Sequence, residues 1–285
     1  MRSTRMAAVA AGVALMTGLT ACGSEQADGG GGDEAKGGGS AVQGALAALK
    51  RASAATEGKN SAAADGVQKT TTQGKTMSSE LKGAFDWSSG GIQGEVEATA
   101  DGSATTIRYL SDAMYMKLQK PMQGKQWVKT DYETMAEQSA SGAMLKDQMQ
   151  NNNPARSVQL LLASGKVKSA GTETVRGAEA THYSGTLTPS ELVRMQSKDL
   201  KESDKKALEQ QFEKQGITEE KIDLWIDEND LLVKKEESFE TKDGSSSENT
   251  VFYSDYGTEV EVSAPPASQT LESSRMKASG GAELS

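Results

Sequence analysis

From Val67 to Thr130 the large apolar side chains recur at every second position, in short runs broken by glycine, serine, aspartate and proline. Leu81, Gly83, Phe85 and Trp87 fall on one side of such a run, with Lys82, Ala84 and Asp86 on the other. Ile92, Gly94, Val96 and Ala98 then alternate against Gln93, Glu95 and Glu97. Thr105, Ile107 and Tyr109, then Met114, Met116 and Leu118, then Trp127 and Val128 continue the series. A period of two is what a pleated strand imposes when one face is dry and the other wet. Ser88-Ser89-Gly90-Gly91 and Ala100-Asp101-Gly102 are the clearest turns. Such a stretch folds as an antiparallel meander with one apolar face, because parallel strands would need a crossover between each pair.

Other periods frame the meander. Val42, Ala45, Leu46, Leu49 and Ser53 recur at helical spacing, and Gly58 follows as a stop. A helical interlude is predicted from about Asp131 to Ser164, interrupted at Asn151-Asn152-Asn153-Pro154, with Val158, Leu161 and Leu162 as a short apolar face after the break. Strands resume over 167–175 and 180–187. Pro189 then opens a charged segment, Ser190 to Gln215, that reads as a surface helix pair. The last strands are predicted at 222–227, 231–239 and 249–256. The expectation is an α+β fold: a curled antiparallel sheet of about nine to eleven strands, a U-shaped half-barrel with helices on its concave side.

The two ends are of another character. Arg2 and Arg5 precede an uncharged, mostly apolar run from Met6 to Leu19 that is short for a membrane span, so residues 1–21 read as a signal peptide. It ends in Leu19-Thr20-Ala21-Cys22-Gly23, which resembles the bacterial lipobox, with Cys22 as the lipid acceptor. Acyl chains contribute about 0.8 kcal/mol per buried CH₂, so several of them hold a protein at a membrane far more firmly than one. The expected location is therefore the extracytoplasmic face of the cell membrane. Residues 22–40 form the lipidated cysteine and a glycine-rich tether, whose flexible-chain span is about 23 Å. Residues 41–262 form the domain, and residues 263–285, opening with Ala264-Pro265-Pro266, are expected to be a disordered tail.

The chemistry visible in the sequence is sparse. Cys22 is the single cysteine, which excludes an intrachain disulfide and a thiolate metal cluster. His182 is the single histidine and falls on the face opposite Thr181 and Tyr183, where it reads as a solvated strand residue. Asp223 with Asp227, and Glu236 with Glu237, are acidic pairs on strands rich in lysine, and such faces are usually wet. No glycine-rich phosphate loop follows a strand, so no cofactor, metal or catalytic residue is expected. Cleavage before Cys22 removes two of 31 basic residues and leaves 40 acidic ones, moving the formal charge from −9 to −11. That balance disfavours nucleic acid as a partner.

Three stretches together resemble a known family. They are Ala113-Met-Tyr-Met-Lys117 with Gln126-Trp127-Val128-Lys129; Val175-Arg-Gly177 with Thr181-His182-Tyr183-Ser-Gly185-Thr186; and Leu224-Trp225-Ile226-Asp227 with Tyr253-Ser-Asp255-Tyr256-Gly257. The chain resembles the actinobacterial LppX/LprAFG lipoproteins, whose fold is similar to that of the LolA and LolB carriers. The resemblance implies helices on the concave side of a half-barrel, an apolar cavity for acyl chains, and a lipid or lipidated cargo. The alternative is an accessory or sensory lipoprotein that acts on a membrane-protein partner.

The candidate cavity residues are Leu46, Leu49, Phe85, Trp87, Val96, Ile107, Met114, Met116, Leu161, Leu162, Leu224 and Ile226, with Cys22 as the lipid anchor. Two features favour open space: the small residues Gly83, Gly94 and Ala98 on the apolar face, and recurrent adaptable methionines. The competing reading makes the glycines bends in a strongly curled sheet and the methionines ordinary core fillers.

Overall fold

The computed structural model describes residues 37–151, 153–196 and 201–274. Cys22, the signal peptide and the tether up to residue 36 lie outside the described residues. The first helix, α1 (Gly37–Glu57), takes in the last residues of the glycine-rich run. It buries Ala45, Leu49 and Ala52 along one stripe. The N–H of Gly58 bonds the Ala54 carbonyl at 3.1 Å. The indole of Trp87 donates to the Glu57 carbonyl at 3.1 Å, satisfying one of the acceptors that a helix end leaves open.

Six strands follow, β1 (Ser61–Thr72), β2 (Lys75–Asp86), β3 (Gln93–Ala100), β4 (Ser103–Tyr109), β5 (Ala113–Met122) and β6 (Lys125–Asp131), of which β2 to β6 carry the alternating runs between Leu81 and Val128. The turns at Gln73-Gly74, Asp101-Gly102 and Gln123-Gly124 have positive φ at both residues, the signature of the primed hairpin turn. β1 starts six residues before Val67, in an alanine run where alternation has no contrast to show.

Asp131 caps α2 (Tyr132–Gln138) by accepting from the Thr134 N–H, and α3 (Ala140–Asn151) follows. α4 (Pro154–Ser164) has Asn153 as its cap, proline in its first turn and left-handed Gly165 at its end. Then come β7 (Val167–Val175), β8 (Ala178–Leu187), α5 (Pro189–Gln196), α6 (Glu202–Gln215), β9 (Glu220–Asp227), β10 (Leu232–Glu240) and β11 (Ser246–Ser254). The helix pair is not merely a surface feature, since Leu192, Val193 and Leu208 are buried.

The chain after Ser263 departs from the expectation of a disordered tail. It makes a 3₁₀ turn (Ala267–Gln269) and a short strand, β12 (Thr270–Glu272), parallel to β6. Leu271 is the physical reason: it pairs with Val128 and both are buried. The sheet therefore has twelve strands rather than nine to eleven and is mixed rather than purely antiparallel, in the order β12-β6-β5-β4-β3-β2-β1-β11-β10-β9-β8-β7. Two meanders meet where β1 lies beside β11, and the edges β12 and β7 stay unpaired, so the curled sheet remains open.

The glycines report how tightly it curls. A Cβ at Gly83 would strike the Glu95 carbonyl, one at Gly94 the Ala84 carbonyl, and one at Gly185 the Lys166 carbonyl. The neighbouring strand already occupies those positions, so Gly83 and Gly94 are demanded by curvature and not by a ligand.

Helices cover one half of the concave face. α1 and α4 pack Leu49, Val158 and Leu161 against Val167, Tyr183, Leu187, Ile222, Leu224 and Leu232 of the β7–β10 half, which is a filled core. A smaller cluster of Ala62, Trp87 and Ile92, joined by Phe85, Tyr109, Tyr253 and Tyr256, lies beyond it toward β1–β4.

Candidate functional site

The strand register puts Leu81, Phe85, Ala98, Ile107 and Tyr109 on one face of β2–β4, in line with Gly66 of β1 and with Val251 and Tyr253 of β11. Among the described residues, no helix packs into this region as α1 and α4 pack into the other. A cavity of about 350 Å³ remains, walled by these side chains and Ile92, with Met149 of α3 reaching it from the helical layer. A second cavity of about 340 Å³ adjoins it, sharing Gln68 and Asn249 as wall residues. Its other walls include Met144, Leu192, Phe212 and Ile217, drawn from α3, α5 and the end of α6, with Glu220 and Glu237. Each is within the size range of a small-molecule site. A larger hollow of about 520 Å³ lies near the Lys242 turn, but Phe239 is its one large apolar wall residue and charged side chains make up much of the rest. Its chemistry suits water rather than an acyl chain.

A polar group stands where the two cavities meet. Lys235 of β10 pairs with Leu224 on one side and Val251 on the other, a position the register makes interior, and the residue is 7% exposed. Its Nζ lies 3.2 Å from Glu237 Oε2 and donates to Ser157 Oγ at 3.2 Å. The Ser157 hydroxyl in turn donates to Glu237 Oε1 at 2.7 Å. Burial alone raises the Glu237 carboxyl, and adjacent Lys235 with the Ser157 hydrogen bond more than reverses that, so Glu237 ionises below the usual carboxylate range. Glu220 behaves oppositely: burial, reinforced by the charge on Glu237 and only partly relieved by Lys235, pushes it up to about 8.

Of the predicted cavity residues, Phe85 and Ile107 line this space. Val96 is buried between them on β3, and Trp87 packs beside Phe85. Leu46, Leu49, Leu161, Leu162, Leu224 and Ile226 belong instead to the core that α1 and α4 form with the sheet, where they pack against one another. Met114 is half-buried and Met116 is 40% exposed, and neither lines the two cavities. Met144 and Met149 are the methionines that do.

Lys235 escapes sequence reasoning, and Glu237 departs from the wet face expected for it with Glu236, because β10 reads Leu-Val-Lys-Lys-Glu-Glu, charged on both faces. Only pairing with the apolar strands β9 and β11 shows which lysine turns inward. The opposite face corrects a second expectation. His182 is not solvated: it stacks on Trp225 at 4.3 Å, with Nδ1 3.1 Å from Glu173 and Nε2 2.7 Å from Asp223. Asp223 is itself 2% exposed. Both ring nitrogens thus face carboxylates, and the imidazole ties β7, β8 and β9 together on this face.

A half-barrel with one half of its concave face packed and the other hollow is a cavity-bearing class of protein. The chain is 41% identical over 255 residues to an uncharacterised 31.2 kDa protein of Streptomyces griseus from the rplA-rplJ intergenic region, covering 83% of its own length and 82% of that protein. It is 32% identical over 232 residues to a putative lipoprotein of Streptomyces coelicolor, covering 75% and 71% of the two chains. The chain belongs to the family of these two Streptomyces proteins, and the LppX/LprAFG resemblance in its sequence agrees with the lipoprotein name that one of them carries. No family model matches it. Among solved structures it is similar to the lipoprotein LppX of Mycobacterium tuberculosis, with a TM-score of 0.47 at 16% identity, over 78% of this chain and 99% of that one.

Proposed function

We propose that the protein is anchored through acylated Cys22 to the outer face of the cell membrane, where it binds a lipid or lipidated molecule and carries or presents it. The observation that supports this reading is the apolar cavity over β1–β4, walled by Phe85, Ile107, Leu81, Val251 and Tyr253 and left open by the helices. Each 100 Å² of acyl-chain surface withdrawn from water there contributes about 2.5 kcal/mol, so binding needs no covalent step. Met149 and Met144 suit a chain of variable shape, because the thioether adapts at low cost. With α1 beginning at Gly37, residues 23–36 would form a flexible tether of about 20 Å, which keeps such a site within reach of its own membrane.

The mature chain from residue 22, carrying Cys22→Ser to prevent acylation, is the material for the test. Native mass spectrometry of this protein is expected to reveal a co-purifying lipid. A bare mass, with no uptake of the neutral dye Nile red, would overturn the reading. Acylation is checked on the wild-type protein: an unmodified Cys22 peptide would remove the anchor from the proposal.

A further inference from the structure

The buried cation at the junction of the two cavities has a hydrogen-bonding capacity that the fold does not use up. A lysine ammonium offers three donors. Among the described residues, Lys235 makes two hydrogen bonds, to Ser157 Oγ and Glu237 Oε2, both at 3.2 Å. The same side chain lines the apolar cavity beside Tyr253 and Asn249. A buried ion pair is weak as a stabilising device, since an apolar pair of similar volume does as well or better. At this place in the register, flanked by Leu224 and Val251, an apolar residue would fit the surroundings. The pair is therefore better accounted for by what enters the cavity than by what it does for the core.

We propose that Lys235 is a polar subsite for the bound molecule, donating a hydrogen bond to an uncharged acceptor, an ester carbonyl at the head of an acyl chain whose tail lies along Phe85 and Ile107. This rests on the lipid-binding reading above and sharpens it. Charge selects the acceptor. Lys235 is already balanced by Glu237, and a second carboxyl, Glu220, lines the adjoining cavity with Glu237. A ligand carboxylate or phosphate would add a negative charge to a buried site whose one lysine Glu237 already neutralises, whereas a carbonyl oxygen adds none. Glu220 holds its proton to about pH 8 first because it is buried and second because Glu237 stands beside it. Gln68 and Asn249, shared by both cavities, supply amide groups at the same level, where the polar head of an ester lipid would sit.

The test uses the mature Cys22→Ser chain and measures displacement of Nile red at pH 7 by methyl palmitate, palmitate and hexadecane. Methyl palmitate is expected to bind about ten-fold more tightly than hexadecane, and more tightly than palmitate. The double variant Lys235→Met/Glu237→Leu, which removes both charges together, is expected to lose that preference and bind methyl palmitate no better than hexadecane. Equal binding of ester and hydrocarbon by the wild type, or an ester preference that survives in the double variant, would overturn the subsite while leaving lipid binding intact. Tighter binding of palmitate would overturn the uncharged acceptor. Failure of all three ligands and of Nile red to bind would instead overturn lipid binding itself. Equal binding of ester and hydrocarbon by the wild type overturns the subsite even if the double variant does not fold.

Discussion

Lys235 and Glu237, two residues apart on β10, project to the same face of the sheet and meet at 3.2 Å. Ser157 of α4 touches both, so the pair also ties the helical layer to the strand beneath it.

Breaking that pair from one side is expected to be costly. Lys235→Met alone leaves Glu237 buried without its cation and should destabilise the protein by about 3–5 kcal/mol. The double variant Lys235→Met/Glu237→Leu should recover most of the loss. Urea unfolding of the wild type and both variants checks this, and similar midpoints for the single and double variants would contradict it.

Glu220 predicts a pH dependence of stability. Its folded-state value, about 8, lies above the ordinary carboxylate value near 4.5. Between these two values the folded protein keeps a proton that the unfolded chain has lost, so stability falls as pH rises. The contribution is intact below about pH 4.5 and lost by the time pH passes about 8. Glu220→Gln should flatten this part of the profile, measured by urea unfolding at pH 5, 6.5 and 8.

Curvature and cavity space are separable by mutation. Gly94→Ala should destabilise the fold by roughly 1–3 kcal/mol, because the added carbon meets the Ala84 backbone. Ala98→Leu, on the cavity wall of the same strand, should leave thermal unfolding nearly unchanged and lower Nile red uptake. A loss of stability at Ala98 as large as at Gly94 would mean that the space is already filled.

Tyr132 is 2% exposed, and its hydroxyl is the one buried side-chain polar atom without a hydrogen-bond partner among the described residues. Tyr132→Phe removes an unsatisfied group and keeps the ring packing, so it should stabilise the protein by about 1 kcal/mol. A rise in the urea midpoint is the expected result.

Local signals carried much of the architecture. The stop at Gly58, the Asn153-Pro154 helix start, the X-Gly turns and the alternation across Leu81 to Val128 are set by backbone geometry and by one wet and one dry face, so they are legible residue by residue. Cys22 and the tether are likewise readings of sequence alone, at positions outside the described residues. Tertiary structure decided which apolar faces are filled and which are hollow. Leu49, Leu161 and Leu224 pack solidly, while Phe85 and Ile107, equally apolar in sequence, border empty volume, because α1 and α4 dock on only one half of the sheet. It also decided that Leu271 closes onto Val128 and that Lys235 turns inward. Each of these depends on a partner far away in the chain, and alternation along one strand holds no information about what stands across from it.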